Sequence, residues 1–430
     1  MLERQSVCLR QLACTRATEV SFGRWLGNAK VTTTELNEHA SARTGKLVRG
    51  RHVLAIQDTT EINYQAHARR VHGLGPVGNN RDVGLFLHPL LVVDAEHGNC
   101  LGLGHVHTWL REGAVTHRRR RPIEQKESYR WLETAEHGKR SLREAAEITF
   151  IADREGDIYE EWDRVPETGI HLLIRACRDR KLATGERLFA ALSAQPVVAC
   201  YLLAVKARPG QRSAHVARME IRHRSVVIRR PRNGTDPSGA AEITLSALDV
   251  HERAETVVGA EQPIHWRLLT THTLTNVEEV LRCIDWYCQR WHIEQLFRTL
   301  KKQGLDLEGS QVESAEGLLK LAYVATRAAV QTLQLTLARE GNTERPASDV
   351  FDPDAVKVLK QIQPRLEGRT ARQKNPYPVE RLAWAAWLVA RLGGWKGYRS
   401  EAKPGPITML RGQQRLATIL EGWRLANLCA

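Results

Sequence analysis

His52–Val53–Leu54–Ala55–Ile56–Gln57–Asp58–Thr59–Thr60–Glu61 is the stretch on which the reading of this chain turns. Its short apolar run, 53–57, reads as a buried strand that ends at Asp58. The same form recurs at 148–152, an apolar run ending at Asp153 within Ile151–Ala152–Asp153–Arg154–Glu155–Gly156–Asp157. In an open α/β sheet, reacting groups collect at the carboxyl ends of strands. A carboxylate placed there needs a reason, because burying an unpaired charge is costly. Taken singly, each aspartate is equally a strand-end turn or cap residue. Side by side, the two would repel each other unless a cation lay between them. Glu61, Glu155 and Asp157 read as turn or helix-start residues.

Outward from these strands the pattern changes three times. Residues 1–50 read as polar and helical, with a turn region at 26–34. Residues 85–93 and 100–109 read as strands, parted by the turn His97–Gly98–Asn99. A basic loop at 118–121 precedes a helical stretch at 123–142. Between about 180 and 272 the pattern is mostly β, with strands expected at 197–206, 214–228, 241–250 and 264–271. Arg232–Asn233–Gly234–Thr235–Asp236–Pro237 is a turn between two of them. After Thr275 the chain is almost wholly helical. Residues 318–337 are apolar on most sides and are expected to be buried. A linker, Lys403–Pro404–Gly405–Pro406, precedes the last helix. The fold class is α/β, with boundaries expected at 1–50, 51–180, 181–272, 273–342 and 343–430.

One helix is expected to run unbroken from Thr275 to Gly304. Thr275–Asn276–Val277–Glu278 has the form of a capping box, and Gly304 is suited to close the far end. At about 100° per residue, Tyr287, Arg290, Glu294 and Lys301 fall within roughly 60° of one another. Trp286, Ile293, Leu296, Phe297 and Leu300 form the adjoining apolar face. A carboxylate thus lies between cations and a phenol, beside a stripe that packs on a core. Taken alone, Arg290 and Glu294 read first as an i,i+4 ion pair on a solvated face, because such pairs are common. With Asp58 and Asp153, Glu294 completes an all-oxygen set that suits Mg²⁺ or Mn²⁺.

Lysine and arginine number 63 against 49 aspartates and glutamates, a formal charge of +14 over 430 residues. That excess fits a polyanionic partner. No run of about 18 apolar residues occurs, so no membrane-spanning helix is expected. Residues 1–20 lack the features of a secretion signal. Eight cysteines lie scattered without a Cys-x-x-Cys pair. They read as reduced thiols of a cytoplasmic protein. The seventeen histidines show no metal-ligand spacing and receive no role.

Gln57–Asp58–Thr59–Thr60, Asp153–Arg154–Glu155 and the Tyr-x2-Arg-x3-Glu-x6-Lys pattern at 287, 290, 294 and 301 resemble the DDE transposases of insertion sequence family four. That group carries the "YREK" signature, and the resemblance covers about residues 50–340. It implies a ribonuclease H-like mixed sheet core interrupted by an inserted all-β subdomain, here 181–272. It implies helical terminal regions, the first DNA-binding (1–50, with only 57 residues before Asp58) and the last dimerising (343–430). Asp58, Asp153 and Glu294 would be both the catalytic residues and the ligands of two Mg²⁺ or Mn²⁺ ions. The implied partners are double-stranded DNA, as inverted repeats and target, and a second copy of the chain in a synaptic complex. The implied location is cytoplasmic, on the nucleoid.

The same resemblance assigns a base-stacking role to Trp266 and a phosphate clamp to Arg175, Tyr287 and Arg290. Arg298 and Lys301 would be further DNA contacts. Trp266 is otherwise a core tryptophan and Arg175 an ordinary surface arginine. Arg118–Arg119–Arg120–Arg121, and Arg218, Arg222, Arg224, Arg229, Arg230 and Arg232, would track phosphates without reading sequence. Two other readings stay open: a non-catalytic DNA-binding or dimerising regulator, and a host nuclease.

Overall fold

The strand that ends at Asp58 lies inside a large mixed sheet in the computed structural model. The structure describes residues 1–78, 80–112, 121–205, 207, 212–231, 238–259, 261–398 and 401–428. Its strands are β1 (His52–Gln57), β2 (Thr60–Asn63), β3 (Gly75–Val77), β4 (Asp82–Asp94), β5 (Cys100–Trp109), β6 (Glu147–Ala152), β7 (Ile170–Arg175), β8 (Ala199–Val205), β9 (His215–Arg229), β10 (Glu242–Glu252) and β11 (His265–Thr270). Its helices are α1 (Leu9–Leu12), α2 (Arg16–Leu26), α3 (Thr33–Leu47), α4 (Tyr129–Ser141), α5 (Tyr159–Arg164), α6 (Leu188–Ser193), α7 (Val277–Cys288), α8 (Trp291–Leu300), α9 (Ala315–Ala338), α10 (Pro353–Leu366), α11 (Leu382–Leu392) and α12 (Pro406–Leu428). No described helix is long and apolar enough to cross a membrane.

β1, β6 and β7 are parallel neighbours, and β4 runs antiparallel on the other edge of β1. β1 and β2 pair with β4 in one constant register, from Val53↔Asp94 to Gln57↔Leu90 and then from Thr60↔Leu87 to Asn63↔Gly84. They are two halves of a single strand, parted only at Asp58–Thr59. Glu61 accordingly lies in a strand rather than in a turn or helix start, and its carboxylate accepts the Gly78 N–H at 2.7 Å.

The β1 and β6 runs are continuously apolar because both faces of the sheet are covered. Val53, Ala55, Phe150 and Ala152 join the core beneath α4 and α5. Leu54, Ile56 and Ile151 join the core shared with α7, α8 and α9. A third cluster packs the end of α9 against α10, α11 and α12. The expected buried helix is α9, and most of its residues are indeed buried.

The β block does not form a sheet of its own. β11 pairs antiparallel with β7, and β10, β9 and β8 follow, so one eleven-stranded sheet runs through the described residues. An open β7 edge would leave unpaired backbone donors and acceptors, and β11 satisfies them. The block is not all β either, since α6 falls within it. The stretches expected as a basic loop (118–120) and a turn (232–237) lie outside the described residues.

The expected helix 275–304 is tightened in the middle. The N–H groups of Gln289, Arg290, His292 and Ile293 bond to carbonyls three residues back, which separates α7 from α8. The start is capped one residue later than the sequence suggests. Asn276 accepts the Glu279 N–H, while Glu279 reaches back to Thr275. The end also comes early. Lys301 has extended backbone angles, and Gly304 serves a close approach, where a Cβ would stand 1.9 Å from Thr299 O.

Gly138 on α4 faces the sheet, where an added Cβ would meet Leu90 at 2.6 Å and Phe150 at 2.9 Å. Gly138→Ala is expected to destabilise the fold by about 1–3 kcal/mol through overpacking. Gly422→Ala, at an exposed position of α12, has open space and should be neutral or stabilising by up to about 1 kcal/mol. Urea unfolding of both variants checks the contrast.

Candidate active site

β1 and β6 pair in parallel with Ile56 opposite Ile151. Carrying that register two residues further sets Asp58 opposite Asp153. Side chains alternate along a strand, so Asp58 follows Leu54 and Ile56 onto the α7–α9 face, and Asp153 follows Ile151 there. Arg175, two residues beyond Leu173, and Trp266, two before Leu268, belong to the same face. The strand period alone delivers four of the expected residues to one side of the sheet.

Glu294 reaches them from α8 through an intermediary. Arg290 lies at the junction of α7 and α8. Its Nη1 is 3.2 Å from Asp58 Oδ2 and its Nη2 is 2.7 Å from Glu294 Oε1. Tyr287 is buried one turn earlier, with its ring centroid 6.1 Å from that of Trp266. Arg175 donates to His265 O at 2.7 Å. Burial lowers its pKa, and the neighbouring charges that act on it are Tyr287, Arg154, Arg290 and Asp153. Six of the expected residues, Asp58, Glu294, Arg175, Trp266, Tyr287 and Arg290, thus form one neighbourhood with Asp153. Lys301 has left the helix and stands 4.0 Å from Glu308. Arg298, in the last turn of α8, is exposed and apart from these contacts.

Burial first, then the charge of Asp153, raises Asp58 from 3.8 to about 7, against the opposing pull of Arg290 and the Thr59 N–H. Burial also opposes the charge on Arg290, yet Tyr287, Asp58 and Glu294 outweigh it and raise its pKa. One guanidinium therefore does not compensate the carboxylates. A hard divalent cation fits this donor set: all ligand atoms are oxygens, and extra positive charge would let Asp58 ionise.

A buried hydrogen-bond chain pins the backbone on both sides of Asp58. Arg130 Nε–H donates to Thr59 Oγ1 at 2.9 Å, and Thr59 Oγ1 lies 2.8 Å from His88 Nδ1. His88 Nε2 lies 3.2 Å from Gln57 Oε1, and Gln57 Nε2–H donates to Glu161 Oε1 at 3.2 Å. Burial lowers the pKa of His88 well below its usual value, so its ring is neutral. A single proton order, with His88 protonated on Nε2, then satisfies every link. Sequence reasoning missed His88, Arg130 and Glu161. Asp157 is a second anchor. It pairs with buried Arg180 and accepts the Cys177 and Arg178 N–H groups, tying the loop after β7 to the loop after β6.

A cleft of about 660 Å³ opens beside Thr59, lined by Trp109, Phe86, Arg111, Arg130, Arg154 and Arg178 among others. The arginines expected to track phosphates in the β block are largely engaged with acids: Arg222 with Glu220, Arg224 with Glu186 and Arg229 with Glu242. Their charge is therefore partly offset within the chain.

The histidines, given no role from sequence, do converge at the opposite end of the same face. His52, Glu147 and His272 offer ligand atoms within 4.8 Å of one another. Burial, then His171 and His52, pushes His272 down to about 3. The seven described cysteines are free thiols.

Carboxylates gathered at strand ends beneath an arginine define a mixed α/β protein with an acidic, cation-seeking site. The family model of the transposase DDE domain matches residues 30–330, and the chain belongs to that family. The chain also resembles a solved structure, the cryo-EM structure of a piggyBac transposase synaptic complex with hairpin DNA. The likeness has 7% identity and a TM-score of 0.36, over 87% of this chain and 54% of that one. This chain thus spans about half the length of that transposase.

Asp58 binds its proton more tightly folded than unfolded. Without divalent ions, stability should therefore fall as pH rises from about 4 to about 7. Mg²⁺ should offset the fall, and Asp58→Asn should flatten that part of the profile. Thermal unfolding in chelator across this range measures it; an unchanged slope in the variant would contradict the assignment.

Proposed function

We propose that this chain is a DNA transposase of the YREK-signature group, in which Asp58, Asp153 and Glu294 hold two divalent ions, Mg²⁺ or Mn²⁺. The observation that carries the reading is the in-register pairing of β1 and β6, with Arg290 bridging Asp58 to Glu294. A ribonuclease H-like core is supported by the order β5–β4–β1–β6–β7, in which β4 alone runs opposite to the other four. The β8–β11 block is the insertion of that reading, in the form of a sheet extension.

The bound ions would stabilise charge on the attacking and leaving oxygens of a phosphodiester. The chain's own groups position the DNA. Arg175, Tyr287 and Arg290 influence one another beside the carboxylates and would clamp one phosphate, with arginine's planar fork suited to it. Trp266, partly exposed next to Tyr287, offers a face for an unstacked base. That pairing supports a hairpin route: water frees a 3′-hydroxyl, the hydroxyl attacks the opposite strand, water reopens the hairpin, and the hydroxyl then attacks target DNA. Arg298 in the last turn of α8 and Lys301 just past it would extend the DNA path. Residues 1–50 would contact DNA, and 343–430 would dimerise, where Ile419 and Leu425 are exposed on α12.

Purified chain with Mn²⁺ and DNA carrying the element's end should nick and then form hairpins on denaturing gels. Asp58→Asn, Asp153→Asn and Glu294→Gln should reduce cutting to background while DNA retention persists. Trp266→Ala should spare the first nick and deplete hairpins. Retention without metal-dependent cutting by the parent chain would favour the regulator instead.

A further inference from the structure

Three segments carry the acidic site, and each also carries a potential metal ligand at the other end of the sheet. His52 opens the strand that ends at Asp58. Glu147 opens the strand that ends at Asp153. His272 follows β11 and begins the connection to the helices bearing Glu294. Six residues of strand separate His52 from Asp58 and Glu147 from Asp153, or about 20 Å. The two clusters lie on one face but do not touch.

The side chains are arranged as ligands are. Thr149 Oγ1 stands 2.9 Å from His52 Nε2 and 2.8 Å from His272 Nε2. When both rings donate from Nε2 to this hydroxyl, both Nδ1 lone pairs are left free. The two Nδ1 atoms face the two oxygens of Glu147, at 3.8 Å from Oε2 for His52 and 3.7 Å from Oε1 for His272, and His171 Nε2 stands 3.5 Å from Oε1. These separations exceed the roughly 2.7–3.2 Å of an N–H···O hydrogen bond. They come within a few tenths of an ångström of the about 3.3–3.4 Å edge that a tetrahedral ion with 2.0–2.1 Å bonds imposes. His272 is also fixed by its backbone, since its carbonyl accepts from Ser246 and its N–H donates to Thr270. An outer shell that orients imidazoles in this way is a usual accompaniment of metal sites. Trp286 packs edge-on against His52 at 4.7 Å, and both line a cleft of about 740 Å³.

We infer that His52, Glu147 and His272 form a transition-metal site, of the Zn²⁺ class, that clips together the three segments bearing the acidic residues. Two imidazoles and one carboxylate suit Zn²⁺, Co²⁺ or Ni²⁺ rather than Mg²⁺. Crosslinking β1, β6 and the β11–α7 connection would stabilise the frame on which the carboxylates are mounted. This inference stands on its own geometry and survives even if the transposase reading fails.

The test uses full-length, tag-free protein with Asp58→Asn and Glu294→Gln substituted to silence the acidic cluster. After chelator treatment it is titrated with Zn²⁺ and with Co²⁺ in millimolar Mg²⁺. The expected results are one equivalent of metal retained on dialysis, a raised Tm and visible Co²⁺ d–d bands of low coordination. Quenching of tryptophan emission by Co²⁺ is expected from Trp286. Adding His52→Ala and His272→Ala should abolish all four. Failure to retain an equivalent, or undiminished retention in the histidine variants, would overturn the site. Should those variants not fold, the Co²⁺ spectrum of the unsubstituted chain in Mg²⁺ decides: absence of imidazole-type bands is likewise a refutation.

Discussion

Two carboxylates held side by side against their own repulsion set the terms for the rest of this structure. Parallel pairing of β1 and β6 leaves no freedom in the matter, because the register that packs Ile56 beside Ile151 also aligns Asp58 with Asp153. Burial first, and then the charge of Asp153, makes Asp58 keep its proton to about pH 7. The surroundings are built to hold that arrangement rather than relieve it. Gln57 and Thr59 are locked by the chain through His88 to Arg130 and Glu161, so the backbone at Asp58 cannot swing away. Arg290 supplies partial compensation, and its placement depends on the tightened turn between α7 and α8.

Strand parity organises the molecule more broadly. The candidate site residues lie on the α7–α9 face, and their neighbours one residue along fill the core beneath α4 and α5. Because β11 runs antiparallel to β7, it delivers Trp266 to the acidic end and leads to His272 at the histidine end. Any force that draws the histidine end together acts on the same strands that present the acids. The two ends are mechanically joined although about 20 Å apart.

Much of this was legible in sequence, and the exceptions have causes. Buried strands read as unbroken apolar runs, so β1 and β6 were visible, and the acids marked their ends. The spacing of Tyr287, Arg290 and Glu294 survived because the helical wheel holds over one to two turns. It failed for Lys301, since nothing local shows that the backbone becomes extended there. The tightening at residues 289–293 has no glycine or proline to announce it. The joining of β7 to β11 is a contact between segments some ninety residues apart, which periodicity does not encode. His88 was hidden within an apolar run, where a lone histidine looks like any core residue. His52 and His272 were hidden by distance in sequence, because metal-ligand spacing is readable only when the ligands share one element.

The most direct test is where a divalent ion binds. Crystals of the full chain soaked in Mn²⁺ and measured at the manganese edge would show it without reliance on activity. An anomalous peak about 2.0–2.3 Å from oxygens of Asp58, Asp153 and Glu294, with Arg290 withdrawn from Asp58, is the result this account requires. Manganese bound with any of these three carboxylates turned away from it would contradict the account.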